Sequence, residues 1–283
     1  MEIRLVKSTV LKDLPSGSAI EYINGDLFIC GDDSSFLYKV DVNGVILKKI
    51  KIYDWDKEGR IPKQLKPDFE AMANIGDEIL LFGSGSLAPR NVLVKVNIKT
   101  DEVKSFSLEE FYQELKYEAK LKSDDFNIEG AAIHKDQLFL LNRGDNSIFT
   151  LPLKEFYNFV ENGEALSDLQ ITKYHLPVLD GYSAGFSGAA VMDDYLIFCA
   201  SVEKTSDWIN DGEILGSFIG LIHLCGNSNE VLECVRVMDM EKFYLEKIEG
   251  LCISGKRGGN IELKAICDND NGASTLLEME IRV

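Results

Sequence analysis

The chain has 283 residues, and 45% of them are hydrophobic, enough for a sizeable core in one closed all-β domain. The formal net charge of −17 argues against nucleic acids and anionic membranes as partners, because both would repel the chain over long range. There is no stretch of about 18 apolar residues, as a membrane-spanning helix needs, and no apolar segment of a signal peptide at the start. We therefore expect a cytoplasmic protein, and we expect it to be a monomer.

The first strand-like segment is Ile3–Leu11, which has no partner next to it in the sequence. A second, Ser18–Tyr22, leads through the turn Asn24-Gly25 into the apolar strand Asp26–Cys30. An Asn-Gly turn between two apolar runs is typical of a β-hairpin. Two further strand-like segments follow, so that the first unit contains four strands.

This unit recurs along the chain. Each copy begins with Ser or Glu, continues in small and apolar residues, and leads through a turn into a second apolar strand. We call the five leading residues the anchors: Ser18, Glu70, Glu129, Ser187 and Glu249. Their separations of 52, 59, 58 and 62 residues are typical of the four-stranded blades of a β-propeller.

The last unit contains only three strands. We predict that Ile3–Leu11 supplies its outer strand, which closes the ring between the two chain ends and leaves no free edge at the seam. The sequence thus predicts an all-β fold with one domain over residues 1–283, a five-bladed β-propeller with four-stranded blades.

Two helical insertions are expected. Ser107-Leu108-Glu109-Glu110 resembles a capping box, and Phe111, Leu115 and Ala119 follow at helical spacing, which predicts a short helix near 107–122. A second is expected at Lys154–Val160. Both should cover propeller strands.

The cysteines favour a reducing environment. None of them forms a CxxC pair, and most lie in apolar strand-like runs, where a free cysteine packs as a small hydrophobic side chain. We predict reduced cysteines, mostly in the core. The six are Cys30, Cys199, Cys225, Cys234, Cys252 and Cys267.

The anchors predict a metal site. The inner strand of each blade lines the central channel, so five equivalent anchors would converge on the axis. Three of them are glutamates, no lysine or arginine occupies an anchor position, and like charges at close range need a cation or protonation. Three glutamates, two serines and water could supply the 6 to 8 oxygens that Ca²⁺ prefers, whereas Mg²⁺ suits a five-sided ring less well and no His or Cys favours zinc. The alternative is that each glutamate caps a strand end.

The order Ser, Glu, Glu, Ser, Glu resembles the soluble calcium-activated nucleotidases (apyrases), five-bladed propellers with one axial Ca²⁺. The first unit is most similar, with its Ser18 strand, its Asn24-Gly25 turn and its Asp32-Asp33 pair. A looser similarity extends to the esterase-like phytase and SdiA-regulated propellers. The resemblance implies that the anchors bind Ca²⁺, that Asp32 and Asp33 position or activate water, and that Arg143 binds phosphate.

Three functional hypotheses follow. The first is a Ca²⁺-binding propeller without catalysis, in which the metal organises a mouth that binds a small-molecule or phosphorylated ligand. The second is a Ca²⁺-dependent phosphohydrolase acting on nucleotides or phosphoesters. The candidate ligand-binding residues are Arg143, Ser84 and Lys204. In the phosphohydrolase, Asp32 or Asp33 would act as base, and Lys204 or Lys66 would join Arg143 in compensating phosphate charge.

The third hypothesis is an esterase or lactonase with a histidine near the metal. Its only candidates are His134, His175 and His223, and each is better explained as a surface or structural histidine.

Overall fold

The computed structural model describes residues 1–55, 60–205, 212–224, 231–269 and 272–282. It confirms the predicted fold, a five-bladed β-propeller whose blades are antiparallel four-stranded sheets. The first strand is β1 (Glu2–Leu11). Blade 1 consists of β2 (Gly17–Ile23), β3 (Asp26–Gly31), β4 (Phe36–Val40) and β5 (Ile46–Lys51). Blade 2 consists of β6 (Phe69–Ile75), β7 (Glu78–Gly83), β8 (Val92–Asn97) and β9 (Val103–Ser107).

The second half of the chain continues in the same order. Blade 3 consists of β10 (Ile128–His134), β11 (Gln137–Asn142), β12 (Ser147–Pro152) and β13 (Gln170–Lys173), and is followed by the hairpin β14 (Val178–Leu179) and β15 (Tyr182–Ser183). Blade 4 consists of β16 (Gly185–Met192), β17 (Tyr195–Glu203), β18 (Ile214–His223) and β19 (Glu233–Arg236), and is followed by the hairpin β20 (Met238–Asp239) and β21 (Lys242–Phe243). Blade 5 consists of β22 (Ile248–Arg257), β23 (Asn260–Asp268), β24 (Ser274–Arg282) and β1.

The N-terminal strand closes the ring, as predicted. β1 pairs antiparallel with β24, from Glu2 opposite Arg282 to Leu11 opposite Ser274. The first and last segments of the chain thus share one sheet, and blade 5 has the same four strands as the others.

In the described part of the chain, two short α-helices lie on the outside of the ring. α1 (Glu109–Ala119) lies within the predicted range and ends at Lys120 in the left-handed conformation, and α2 (Leu153–Asn162) overlaps the second predicted helix. They pack against each other through Phe111 and Phe156, whose ring centroids are 5.1 Å apart, and both belong to the core cluster that spans blades 2 and 3. Two 3-10 turns cover Ala88–Arg90 and Ser123–Asp125.

The described cysteines are free, and four of them are buried: Cys30, Cys199, Cys252 and Cys267. Cys234 is half-buried, and Cys225 lies outside the described residues. No helix in the described parts of the chain combines the length and apolar character needed to cross a membrane.

Candidate functional site

The five inner strands share one irregularity at the same place. In each of them the register against the second strand of its blade slips by one residue, and the slipped residue is the anchor: Ser18, Glu70, Glu129, Ser187 and Glu249. Such a β-bulge bends the strand and re-aims a side chain, and bulges are common next to binding sites. The anchors are therefore structurally equivalent, as the repeat implies.

The residue after each anchor closes the axis. It is always Gly or Ala, because the inner strands meet here: a Cβ on Gly188 would lie 2.8 Å from the Cα of Gly250, and a Cβ on Gly250 would lie 3.0 Å from the Cα of Ala19. The space left on the axis is only about 10 Å³. We call this ring the collar: Ala19, Ala71, Gly130, Gly188 and Gly250.

On the anchor side of the collar lies a polar cavity of about 230 Å³. Its wall contains both acidic and basic side chains in unusual density. The acidic ones are Asp32, Asp33, Asp68, Glu70, Glu129, Glu249 and Asp268, and the basic ones are Arg60, Lys63, Lys66, Arg90 and Lys247. Four anchors line this cavity together with both predicted catalytic aspartates, whereas the remaining anchor, Ser187, does not.

The first group of charges lies between blades 1 and 2. We call Asp32, Lys66, Asp68, Glu70 and Arg90 the blade 1–2 cluster. Lys66 Nζ forms ion pairs with Asp32 and, at 2.6 Å, with Asp68 Oδ1. Arg90 Nη1 donates to the other oxygen of Asp68, Oδ2, also at 2.6 Å. One carboxylate oxygen from each of Asp32, Asp68 and Glu70 lies within 4.8 Å of the others, close enough to share one metal ion.

Glu70 is the exception within this cluster. Among the described residues, no hydrogen-bond donor and no cation pairs with its carboxylate. Burial, followed by the neighbouring charges of Asp68 and Asp32, raises the pKa of Glu70 well above its usual value. Burial also raises the pKa of Asp32 to about 6, although Lys66 opposes the effect. The second oxygen of Asp32, Oδ1, is buried without a hydrogen-bond partner.

The second group lies between blades 3, 4 and 5. We call Glu129, Arg143, Glu203, Lys247 and Glu249 the blade 3–5 cluster. Arg143 is 3% exposed, and its guanidinium contacts Glu129 Oε2 at 3.1 Å and Glu203 Oε1 at 2.9 Å. Lys247 Nζ lies 3.2 Å from Glu203 and 3.1 Å from Glu249. The expectation that the glutamate anchors lack basic counter-ions is thus wrong for Glu129 and Glu249.

The pKa directions in this cluster follow from burial and pairing. Burial raises the pKa of Glu249 to about 8 even though Lys247 opposes it. For Glu203, the two bases outweigh burial, and its pKa is lowered. Glu249 keeps one oxygen, Oε2, buried without a hydrogen-bond partner.

A third group of residues lies at the rim of the cavity. Arg60 contacts Asp33 and the hydroxyl of Ser16, and its Nη2 lies 4.0 Å from Asp268. Asp33 is 7% exposed, and its Oδ1 has no hydrogen-bond partner.

The two serine anchors connect neighbouring blades. The hydroxyl of Ser187 donates to the carbonyl of Ile248 at 2.6 Å, and the hydroxyl of Ser18 donates to the carbonyl of Phe69. Each acceptor immediately precedes the glutamate anchor of the next blade. The serines therefore hold the strand that carries that glutamate.

The predicted ligand-binding residues lie outside the cavity wall. Ser84 is fully buried and donates to Asp68 Oδ2 at 2.5 Å, so that it orients a cavity residue. Arg143 is enclosed by carboxylates. Lys204 is exposed and pairs with Glu213 at 3.5 Å. The structure brings four anchors and both aspartates together in the cavity, Arg143 and Ser84 contact cavity residues without lining the cavity, and Lys204 lies apart from it.

A simple signal would have found several missed cavity residues. They stand two positions before an anchor, at or just before the start of the inner strand, and therefore at the same end of the channel as the anchor. This position holds Ser16, Asp68, Asn127, Gly185 and Lys247, and four of the five line the cavity. The fifth is Gly185 because a Cβ there would lie 2.6 Å from Arg143 Cγ.

Known structures show the same fold. Glutaminyl cyclase from Myxococcus xanthus aligns with a TM-score of 0.58 at 8% identity, over 99% of this chain and 97% of that one. The PQQ-bound aldose sugar dehydrogenase from Streptomyces coelicolor aligns with a TM-score of 0.50 at 12% identity, over 99% and 98%. At such low identity these likenesses establish the propeller and leave the chemistry open. None of the curated proteins matches the chain by sequence.

The sequence itself places the chain in a family. Residues 13–281 match a family of unknown function (DUF6929), and the chain belongs to that family. The match spans all five blades.

Proposed function

We propose that this protein is a Ca²⁺-binding β-propeller whose cation sits on the anchor side of the collar and organises a binding site for a small-molecule or phosphorylated ligand. The main support is the blade 1–2 cluster, where oxygens of three carboxylates lie within 4.8 Å of one another. Glu70, one of the three, forms no ion pair among the described residues, although the charge of Lys66 lies near it. A hard cation with oxygen ligands would give its carboxylate a direct partner.

The balance of charge supports a divalent ion. With every group ionised, the two clusters, the cavity rim and Lys63 bring eight carboxylates and six basic side chains together, an excess of two negative charges among the described residues. The carboxylates are Asp32, Asp33, Asp68, Glu70, Glu129, Glu203, Glu249 and Asp268. The bases are Arg60, Lys63, Lys66, Arg90, Arg143 and Lys247. One Ca²⁺ would neutralise that excess in place of the protons that Glu70 and Glu249, with their raised pKa values, otherwise hold.

Unpartnered oxygens give a second, independent support. Asp33 Oδ1 and Glu249 Oε2 belong to side chains that are at least nine-tenths buried, and both residues line the cavity. A buried carboxylate oxygen without a donor is costly unless a cation or water contacts it. The donor set is all oxygen, which suits Ca²⁺ rather than zinc.

Calorimetric titration with Ca²⁺ tests the proposal. We expect the wild-type protein to bind one equivalent and Glu70→Gln to bind at least tenfold more weakly, because a carboxylate ligand is lost. Glu21→Gln is the matched control: Glu21 lies half-buried on an inner strand, but does not line the cavity. Equal Ca²⁺ affinity in Glu70→Gln and wild type, or no binding by either, would refute the proposal.

A Ca²⁺-dependent phosphohydrolase acting on nucleotides or phosphoesters is the second candidate function. One observation favours it: Asp32, with a pKa raised to about 6, lies in the same cavity as the basic residues Arg60 and Lys63. A carboxylate near that pKa can accept a proton from water, and a bound cation would polarise a phosphoryl group. Phosphate release with excess Ca²⁺ should then occur and be lost in Asp32→Asn, while a folded, Ca²⁺-loaded protein without turnover rejects it.

A further inference from the structure

Lys66 occupies the place where a cation would be most strongly attracted. Its ammonium group lies between Asp32 and Asp68, two of the three carboxylates whose oxygens converge. The side chain is only 11% exposed, so these carboxylates are compensated by the protein itself. Any metal ion that binds all three must compete with this ammonium.

The two bases of the blade 1–2 cluster differ in how firmly they are held. Arg90 donates to Asp68, to the hydroxyl of Ser86 at 2.8 Å and to the carbonyl of Lys63 at 3.2 Å, a three-point attachment. Among the described residues, the ammonium group of Lys66 contacts only the carboxylates of Asp32 and Asp68. Lys66 lies at the end of a surface turn, where its N–H donates to the carbonyl of Pro62 at 3.0 Å, and its flexible stem carries a strongly hydrated charge. Of the two bases, Lys66 therefore has fewer contacts to lose on moving into water.

We propose that Lys66 is a built-in competitor that sets the cation affinity of this site and its selectivity for divalent over monovalent ions, an inference that rests on the proposed Ca²⁺ binding. A divalent ion that displaces the ammonium adds one positive charge to the cluster and also reaches Glu70. A monovalent ion only replaces the charge that Lys66 already supplies, and it must still drive the lysine out. Na⁺ and K⁺ therefore gain little, while Ca²⁺ places a second positive charge next to Asp32, Asp68 and Glu70.

Removal of the Lys66 ammonium group should change both the Ca²⁺ affinity of the site and its selectivity against Na⁺. In Lys66→Met the carboxylates of Asp32 and Asp68 lose their ammonium, so Ca²⁺ should bind roughly tenfold more tightly at low salt. Na⁺ should then occupy the vacated position. Raising NaCl to about 0.15 M should thus weaken Ca²⁺ binding by Lys66→Met much more than by wild type.

Lys95→Met is the matched control. Lys95 is 15% exposed, pairs with the two carboxylates Glu78 and Glu161, and lies outside the cavity. This substitution changes the net charge by the same amount, and it should leave Ca²⁺ affinity and its salt dependence as in wild type. Lys66→Gln keeps a hydrogen-bond donor for Asp32 and Asp68 but removes the charge. It should bind Ca²⁺ as Lys66→Met does, and it replaces Lys66→Met in the experiment if that variant does not fold.

Calorimetry with CaCl₂ alone, at both salt concentrations, separates the outcomes. Tighter binding by both Lys66 variants, with wild-type behaviour of Lys95→Met, supports the competitor. Equal affinity in all four proteins overturns it and leaves the Ca²⁺ site standing. Weaker binding by the Lys66 variants also overturns it, because Lys66 would then orient the ligands. Absence of Ca²⁺ binding in all four proteins rejects the proposed function itself.

Discussion

The blade 1–2 cluster and the blade 3–5 cluster contain the same groups, three carboxylates and two basic side chains, but they pair them differently. In the blade 3–5 cluster, Arg143 and Lys247 each bridge two carboxylates and share Glu203, so that every carboxylate has a basic partner. In the blade 1–2 cluster, both bases converge on Asp68, and Glu70 is left without one.

This difference distinguishes charged side chains that connect the blades from charged side chains that can bind a ligand. The bases of the blade 3–5 cluster connect residues of three blades, since Arg143 joins blade 3 to blade 4 and Lys247 joins blade 4 to the start of blade 5. Such a network keeps the ring together and leaves Glu249 Oε2 as its one carboxylate oxygen that is buried without a hydrogen-bond partner among the described residues. The blade 1–2 cluster retains an unpaired carboxylate, and we therefore assign the cation to it.

The largest expected effect comes from breaking the structural cluster. Arg143→Met leaves Glu129 and Glu203 buried with a lost partner, which should lower the free energy of unfolding by about 3–5 kcal/mol. Urea unfolding of wild type and variant measures this loss in the free energy of unfolding. Arg257→Met is the control, because Arg257 pairs with Glu262 at the surface and should contribute less than about 1 kcal/mol. A loss for Arg143→Met as small as that of the control would contradict the structural role.

The same substitution at equivalent anchors should have opposite signs in the two clusters. Without Ca²⁺, Glu70→Gln removes repulsion and should raise the free energy of unfolding by about 1 kcal/mol. Burial raises the pKa of Glu129 as well, but Glu129→Gln also loses a charged acceptor of Asn127 and Arg143. We expect this loss to outweigh the relieved burial and to lower the free energy of unfolding by about 1.5–3 kcal/mol. Urea unfolding in a chelating buffer tests both. If both substitutions changed the free energy of unfolding in the same direction, the proposed contrast between the two clusters would be contradicted.

The sequence predicts the fold well because the fold is a repeat. Five anchors at regular spacing specify five bulged inner strands, and the surplus N-terminal strand specifies the closure. The pairing of the anchors could not be predicted, since it depends on contacts across the ring. Arg143 reaches Glu203, 60 positions further along the chain, and Lys66 reaches Asp32 from the connection between blades. The repeated sequence pattern does not indicate such contacts, so the two clusters cannot be distinguished from the sequence.

Glu21 gives a smaller, pH-dependent effect that isolates burial from neighbouring charge. Burial raises the pKa of Glu21 to about 8. Since the native state then holds the proton more tightly than the unfolded chain, the contribution of Glu21 to stability is greatest at low pH and falls as pH rises from about 4.5 to 8. Glu21→Gln should match wild type near pH 4.5 and become more stable than wild type as pH rises to 8. Thermal unfolding at both pH values measures it, and a pH-independent difference would contradict it.

The smallest effect distinguishes the two serine anchors, which were both predicted as metal ligands. Ser18→Ala and Ser187→Ala each remove one hydrogen bond to the next blade, so each should lower the free energy of unfolding by about 1 kcal/mol. Only Ser18 lines the cavity next to the blade 1–2 cluster. If its oxygen also contacts the cation, Ser18→Ala should weaken Ca²⁺ binding several-fold while Ser187→Ala leaves it unchanged. Equal Ca²⁺ affinity in both variants would restrict both serines to holding the blades, and weaker binding by Ser187→Ala alone would place the cation nearer the blade 3–5 cluster.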